Sequence, residues 1–389
     1  MSKRAVWVLL SLSLAACAGE VLPPNTGPSA GSRAGAGGSS GSNAGHGGAG
    51  GAAAGRGGTG GAGAPAAGRG GAGGSAGRGT NSEPHTTLYV QDGSLFDRCG
   101  EKVILRGINH PTLYVDRQGE ALPEIAKTGA NSVRLFWFAT RGIGIGEAEP
   151  VITKSIEQHM IPILEMHDST CEWSLDPIAE YWTSSEAVAL IKKFEKNLII
   201  NIANEASAPS QSAFKAKYSA IIESMRDAGI HVPLMIDGAN CGRDYEMLLS
   251  QGPALLAADP DHNLIFSGHL YDPMSASEIG GVFDDFAAAK LAFIVGEFAN
   301  KSPPGCGAAL QYAGLIEQAE KHGVGWLAWS WGDDDPDSAW NTDCDEFDMT
   351  STFAFDSLMG WGKEVAVTNA ASIKNTAQRP QSLMSGECR

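Results

Sequence analysis

Leu198-Ile-Ile-Asn-Ile-Ala-Asn204-Glu205 and Leu291-Ala-Phe-Ile-Val-Gly-Glu297-Phe298 decide the fold. Each is an apolar run of strand length, rich in β-branched residues. Runs of this kind are strands covered on both faces, as in parallel sheets flanked by helices. Each carries a glutamate to the point where the strand stops.

Six more runs of the same kind flank these two, at 103–109, 132–137, 161–167, 233–238, 263–269 and 323–331. Amphipathic stretches of helical length lie between them, at 120–129, 151–159, 185–196, 211–228, 277–290 and 308–322. The repeat has the size of a βα unit. Eight strands with helical crossovers predict an α/β chain folded as a (β/α)8 TIM barrel. A doubly wound open sheet would need a Gly-rich phosphate loop after its first strand, and Gly107-Ile-Asn-His110 does not supply one. A short β-hairpin precedes the barrel, with turns at Asp92-Gly93 and Cys99-Gly100.

The barrel cannot begin before about residue 85. Residues 1–16 read as a lipoprotein signal peptide, with Lys3 and Arg4 ahead of a short apolar run. Leu14-Ala15-Ala16-Cys17 resembles a bacterial lipobox, which implies cleavage before Cys17 and a lipid on its sulfur. Ala18 stands where an Asp often retains such proteins in the inner membrane. Lipid anchoring to the outer membrane or cell surface is therefore expected, with simple secretion as the alternative. Residues 17–84 are Gly, Ala and Ser with scattered Arg and Pro, and no Phe, Tyr or Trp lies between Trp7 and Tyr89. Such a stretch cannot bury enough apolar surface to offset chain entropy, which predicts a disordered tether with a reach of roughly 45 Å. Gly37-Gly-Ser39-Ser-Gly41 matches a nucleophile-elbow pattern only by accident of composition. The folded domain is expected over 85–389.

The chain carries a formal charge of −16, with 28 basic and 44 acidic residues. Six of the basic residues and only one acid precede residue 81, so the domain is more acidic than the whole. That sign argues against nucleic acid and anionic polymers as partners, and does not repel a neutral polysaccharide. Setting Cys17 aside, the cysteines are Cys99, Cys171, Cys241, Cys306, Cys344 and Cys388. None forms a C-x-x-C pair, so a zinc site is not expected. An even number in an exported chain favours disulfides. The pairing expected is Cys99–Cys388 across the domain ends and Cys306–Cys344 between two loops, leaving Cys171–Cys241.

In a barrel the chemistry sits at the C-terminal strand ends. Here these are Asn109-His110, Arg134 through Trp137, His167-Asp168, Asn204-Glu205, Asp237, His269 with Tyr271, Glu297, and Trp329 with Trp331. Paired carboxylates presented from one sheet are what glycoside hydrolysis with retention requires. Either glutamate by itself could be a solvated strand end or half of an ion pair. His167 and His269 read as supports for a substrate site, with metal ligation or core packing as alternatives. Trp329 is a candidate floor for a pyranose ring. Trp137, Trp173, Trp182, Trp331 and Trp340 extend the cleft or pack the core. The acids from Asp333 to Asp337, with Asp343, Asp345, Glu346 and Asp348, read as a solvated loop, with calcium as the alternative.

The set Arg134, His167, Asn204-Glu205, His269-x-Tyr271, Glu297 and Trp329 resembles glycoside hydrolase family 5. Arg106-Gly-Ile-Asn-His110, Asn201-Ile-Ala-Asn-Glu205 and Gly323-Val-Gly-Trp-Leu-Ala-Trp-Ser-Trp331 resemble a bacterial β-mannanase group within it, over about 88–365. The resemblance implies Glu205 as acid/base and Glu297 as nucleophile, with Arg134, His167, Asn204, His269, Tyr271, Trp329, Asn109 and His110 around the substrate. Arg134 and Tyr271 are expected to keep Glu297 ionised. Asn204 is expected at the sugar 2-hydroxyl. The implied activity is hydrolysis of internal β-1,4 bonds in a neutral polysaccharide, mannan first and a β-1,4-glucan second, by a monomer without cofactor or metal. A non-catalytic glycan-binding lipoprotein is the reading from another class. One departure stands out. The group usually has a tryptophan directly after its Asn-Glu, and this chain has Ala206.

Overall fold

The computed structural model describes residues 85–139, 142–303, 306–332 and 345–388. The signal peptide, Cys17, the tether, Trp340, Cys344 and the acids from Asp333 to Asp337 with Asp343 lie outside them. Among the described residues, no helix is long and apolar enough to cross a membrane.

Three short antiparallel strands come first: β1 (Tyr89–Gln91), β2 (Ser94–Phe96) and β3 (Lys102–Val103). The expected hairpin is thus a three-stranded sheet, because the Cys99-Gly100 turn brings the chain back once more. Eight parallel strands then close the barrel: β4 (Arg106–His110), β5 (Ser132–Trp137), β6 (Ile161–Met166), β7 (Ile199–Asn201), β8 (Leu234–Asp237), β9 (Leu264–His269), β10 (Phe293–Glu297) and β11 (Gly325–Ala328). The strands pair in chain order and β11 returns to β4.

The two-residue period of each strand divides the barrel interior into layers. Ile163, Ile199, Met235 and Ile265 belong to one buried apolar cluster with Leu88, Leu95 and Val103 of the N-terminal segment, which closes the barrel bottom. Two residues further along the same strands stand Glu165, Asn201, Asp237 and Ser267, all fully buried. One alternation therefore gives each strand an apolar foot and a polar head. Outside the barrel, a larger cluster joins the strands' outward faces to the helices.

Helices start where the sequence offers caps. Ser184, Ser210, Asp244 and Ser275 each accept a backbone N–H of the first turn, and Ser275 forms a capping box with Glu278. The helices Asp176–Trp182 and Tyr245–Ala258 were not expected from the sequence. The second has Pro253 inside it, and its adjacent leucines (Leu248-Leu249 and Leu255-Leu256) spread apolar surface around the helix, so its periodicity is weak.

Cys99 is bonded to Cys388 and Cys171 to Cys241, as the reading of the sequence expected. Cys306 is also disulfide-bonded, and its expected partner Cys344 is outside the described residues.

Candidate active site

Arg134 is the centre of the polar layer, and β5 carries it into the barrel axis. Its Nε donates to Asn201 Oδ1 at 2.8 Å. One terminal nitrogen donates to Asn109 Oδ1 (3.0 Å) and Glu297 Oε1 (2.6 Å). The other donates to Asn204 Oδ1 (2.6 Å) and Asp237 Oδ2 (3.3 Å). All five donors of the guanidinium are used. Burial acts against this charge, but Glu165, Glu297 and Asp237 outweigh it and raise the pKa further above its ordinary value.

Glu297 ends β10. Gly296 before it packs against β9 too closely for a side chain: a Cβ there would stand 2.1 Å from Ser267 Oγ. Glu297 Oε1 meets Arg134, and Oε2 accepts the Tyr271 hydroxyl at 3.0 Å. Both expected contacts are present, yet the expected ionisation is opposed. Burial, and then the nearby Glu205 charge, push the Glu297 pKa up to about 7 against the pull of His269 and Arg134.

Glu205 lies beyond β7, in a left-handed backbone conformation (φ +50°). Such a conformation costs about 1–3 kcal/mol and persists only where its surroundings enforce it. Here Asp237 Oδ2 accepts its N–H at 3.2 Å, and the preceding Asn204 N–H bonds to Met166 O at 2.7 Å. His269 Nδ1 is 2.7 Å from Glu205 Oε1 and 3.4 Å from Glu297 Oε2, while Nε2 faces Asp237 Oδ2 at 3.5 Å. Burial lowers the His269 pKa, but Glu297, Asp237 and Glu205 outweigh it and raise the pKa to about 9. His269 is then a cation at neutral pH that bridges the two glutamates.

One oxygen each of Glu205 and Glu297 lie with a His269 nitrogen inside a 4.8 Å group. Three ligands so placed could hold a metal. Each is already paired, His269 Nδ1 with Glu205 at 2.7 Å and Glu297 with Arg134 at 2.6 Å, which makes the group a hydrogen-bonded charge network.

The remaining expected residues fall into two sets. His167 Nδ1 is 2.8 Å from Glu165 Oε1, and its ring stacks on Phe136 at 4.7 Å. Its pKa is raised: burial opposes the charge and Glu165 prevails. Trp329 stacks on the same Phe136 at 4.9 Å and remains partly exposed at the rim. Asn204 Nδ2 donates to Thr170 Oγ1 at 2.9 Å. Asn109 sits under Arg134, with its amide on Gly296 O, and so supports the arginine. His110 pairs with Asp116 at 2.8 Å, outside the Arg134 network. Trp137, Trp182 and Trp331 are core residues, and Trp173 packs edge-on to Tyr218.

Glu165 was not singled out from the sequence, and Asn201 and Phe136 were marked only inside longer runs. The signal for Glu165 was present: it lies two residues before His167 and therefore faces the same way. A charged side chain at 0 % exposure inside a strand needs partners, and Arg134 at 3.6 Å and His167 are those partners.

The sequence profile of the cellulase family (glycosyl hydrolase family 5) matches residues 96–335. A mannan endo-1,4-β-mannosidase of Salipaludibacillus agaradhaerens is 31% identical over 304 residues, covering 75% of this chain and 94% of that one. The enzyme of the same name from Cellvibrio japonicus is 30% identical over 308 residues, covering 75% and 68%. Among solved structures, a β-mannanase from Thermomonospora fusca superposes with a TM-score of 0.69 at 27% identity, covering 77% of this chain and 99% of that one. A barrel whose rim brings two carboxylates this close, one held by arginine and tyrosine and the other by histidine, is a glycosidase. More narrowly, the chain belongs to glycosyl hydrolase family 5.

Proposed function

We propose that this glycosidase hydrolyses internal β-1,4 bonds of mannan with retention, using Glu297 as nucleophile and Glu205 as acid/base. The observation that carries the reading is the approach of the two carboxylates within 4.8 Å. Retaining enzymes hold their pair at about 5–5.5 Å, and inverting enzymes need about 6.5–9.5 Å for an intervening water. The likeness to mannanases over nearly the whole length of one relative favours mannan.

In the first step Glu297 attacks the anomeric carbon while the bond to the leaving sugar breaks. The Glu205 proton goes to the departing oxygen. In the second step Glu205, now a carboxylate, takes a proton from water. That water attacks the anomeric carbon and Glu297 departs. Arg134 and Tyr271 stabilise Glu297 as a leaving carboxylate. Three cations (Arg134, His167 and His269) face four carboxylates (Glu165, Asp237, Glu205 and Glu297). Trp329 offers its face to the sugar, and Asn204, held by Arg134 and Thr170, is the group assigned to its 2-hydroxyl.

Incubation with a 2-deoxy-2-fluoro-β-mannoside should leave a sugar covalently attached to the peptide containing Glu297. Label on any other residue overturns the assignment. Activity on galactomannan and glucomannan, with little on carboxymethylcellulose and xylan, tests the substrate. Cellulose without mannan activity would make it a β-1,4-glucanase.

For the N-terminal segment we propose lipidation at Cys17 and attachment of a monomeric catalytic domain to the outer membrane or cell surface by the 17–84 tether. The basic start, short apolar run and lipobox-like Leu14-Ala15-Ala16-Cys17 support this reading. Metabolic labelling with palmitate, lost in Cys17→Ala, tests it.

A further inference from the structure

We propose that the Cys171–Cys241 disulfide belongs to the catalytic apparatus, positioning Glu205 as proton donor and walling the site that receives the leaving-group sugar. The proposal rests on Glu205 being the acid/base.

The two oxygens of Glu205 have different neighbours. Oε1 is tied to His269 Nδ1 at 2.7 Å. Oε2 is the oxygen left to carry the proton, and the Cys171 sulfur stands 3.8 Å from it. A disulfide sulfur has no hydrogen to donate and takes none at neutral pH, so it borders Oε2 without competing for the proton. The departing oxygen must come within about 3 Å of Oε2. The sugar carrying that oxygen must then pass along the disulfide. Cys171 is exposed and Cys241 partly so, which places the bridge on the cleft wall and not in the core.

The staple also holds the backbone of Glu205. Cys171 follows β6 and Cys241 follows β8, so the bond spans the strand between them, β7, from which Glu205 extends. The cysteines' Cα atoms are 4.4 Å apart. Thr170 bridges to Ala206, Ser207 N–H donates to Glu172 O at 2.9 Å, and Cys241 N–H donates to Ser207 Oγ at 2.9 Å. The two residues after Glu205 are therefore gripped from both sides. Glu205, Cys171 and Cys241 all adopt left-handed conformations (φ +50°, +58° and +54°), which persist only where neighbours enforce them. The gripped Ala206 is fully buried and is the position of the departure from the family's tryptophan.

A disulfide can stabilise without touching chemistry, so the test must separate the two effects. The full chain with Cys171→Ala/Cys241→Ala is compared with Cys99→Ala/Cys388→Ala, which opens the disulfide between the domain's ends. Mannohexaose needs acid assistance, whereas 2,4-dinitrophenyl β-mannobioside has a leaving group that needs none. For Cys171→Ala/Cys241→Ala, kcat/KM on mannohexaose should fall about 10- to 100-fold, a part of the ~10²–10⁴ from a general acid. On the aryl substrate it should stay within about twofold. Cys99→Ala/Cys388→Ala should lower Tm and leave the ratio of the two substrates unchanged. Cys171→Ser/Cys241→Ser serves if the alanine pair does not fold. Equal loss on both substrates, or on neither, overturns the proposal. Glu205→Ala is the reference. If it discriminates between the substrates and the disulfide variants do not, the disulfide proposal alone fails. If Glu205→Ala does not discriminate, the acid/base assignment falls and takes the proposal with it.

Discussion

Arg134 reaches Glu297 Oε1 at 2.6 Å with a guanidinium whose other donors are held by Asn109, Asn201, Asn204 and Asp237. The nucleophile candidate is thereby fixed to four residues at the ends of three other strands, β4, β7 and β8, through one planar group. A lysine has the charge but not the fork. Arg134→Lys should lower kcat on galactomannan by ~10²-fold or more, as expected when a preorganised donor is lost. It should also lower Tm, since buried acceptors are left unpaired. A kcat within threefold of the parent would show that charge alone suffices.

The same burial that fixes Glu297 makes the stability of the free protein depend on pH. Glu297 is raised from 4.5 to about 7 and His269 from 6.5 to about 9. A group raised on folding gives stability that is complete below its unfolded pKa and is lost as pH rises through the folded value. Both contributions therefore fade in the same direction. The lowered carboxyls of Asp116 and Asp259 act the other way, but only as pH falls below their unfolded value of 3.8. Tm should fall between pH 5 and pH 9, and Glu297→Gln should remove the part that falls between about pH 4.5 and pH 7. Scanning calorimetry of both proteins across that range checks the sign. A Tm that rises from pH 5 to 8 would contradict it.

The Glu205 charge helps to raise Glu297, so neutralising it should lower the Glu297 pKa. With an aryl β-mannobioside that needs no acid assistance, the acidic limb of kcat/KM for Glu205→Gln should move to lower pH. An unmoved limb would mean that the two carboxyl groups titrate independently.

The barrel was legible in the sequence because its strands are buried on both faces and read as continuous apolar runs. Strand limits were less so. The run 198–205 reads as one strand, yet pairing stops at Asn201 and the last residues turn to present Glu205. Nothing local marks that turn, since its cause is Asp237, 32 residues away. Glu297 and Tyr271 were found because one ends and the other closely follows a strand, and Arg134, inside β5, because it matches a family pattern. Glu165 was overlooked inside Ile161-Pro-Ile-Leu-Glu-Met166 because a charge in a strand interior has meaning only once its partners are known. Asn109 and His110 are adjacent in sequence, but alternation separates them, so one supports Arg134 and the other binds Asp116.

Two buried aspartates at opposite ends of the barrel should separate catalysis from stability. Asp237 ends β8, accepts from Arg134 and from the Glu205 backbone, and takes Asn201 Nδ2 on its other oxygen. Asp237→Asn keeps the volume but offers an amide in place of the charge. The left-handed turn at Glu205 then loses its anchor, and kcat should fall ~10- to 100-fold with little change in KM. Asp259 instead forms a two-point bond with Arg226 at 2.8 and 2.9 Å, beside the strand starts at Leu234 and Leu264. Asp259→Ala leaves a buried guanidinium held by the carbonyls of Ile230, Val232 and Asn263 but with only the partly exposed Asp261, at 3.1 Å, as counter-charge, and should cost about 3 kcal/mol. No atom of that pair meets Glu205 or Glu297, so kcat measured well below Tm should be unchanged. Parallel denaturation and kinetics on the two variants test the separation. A catalytic defect in folded Asp259→Ala would show that the bottom of the barrel controls the geometry at its top.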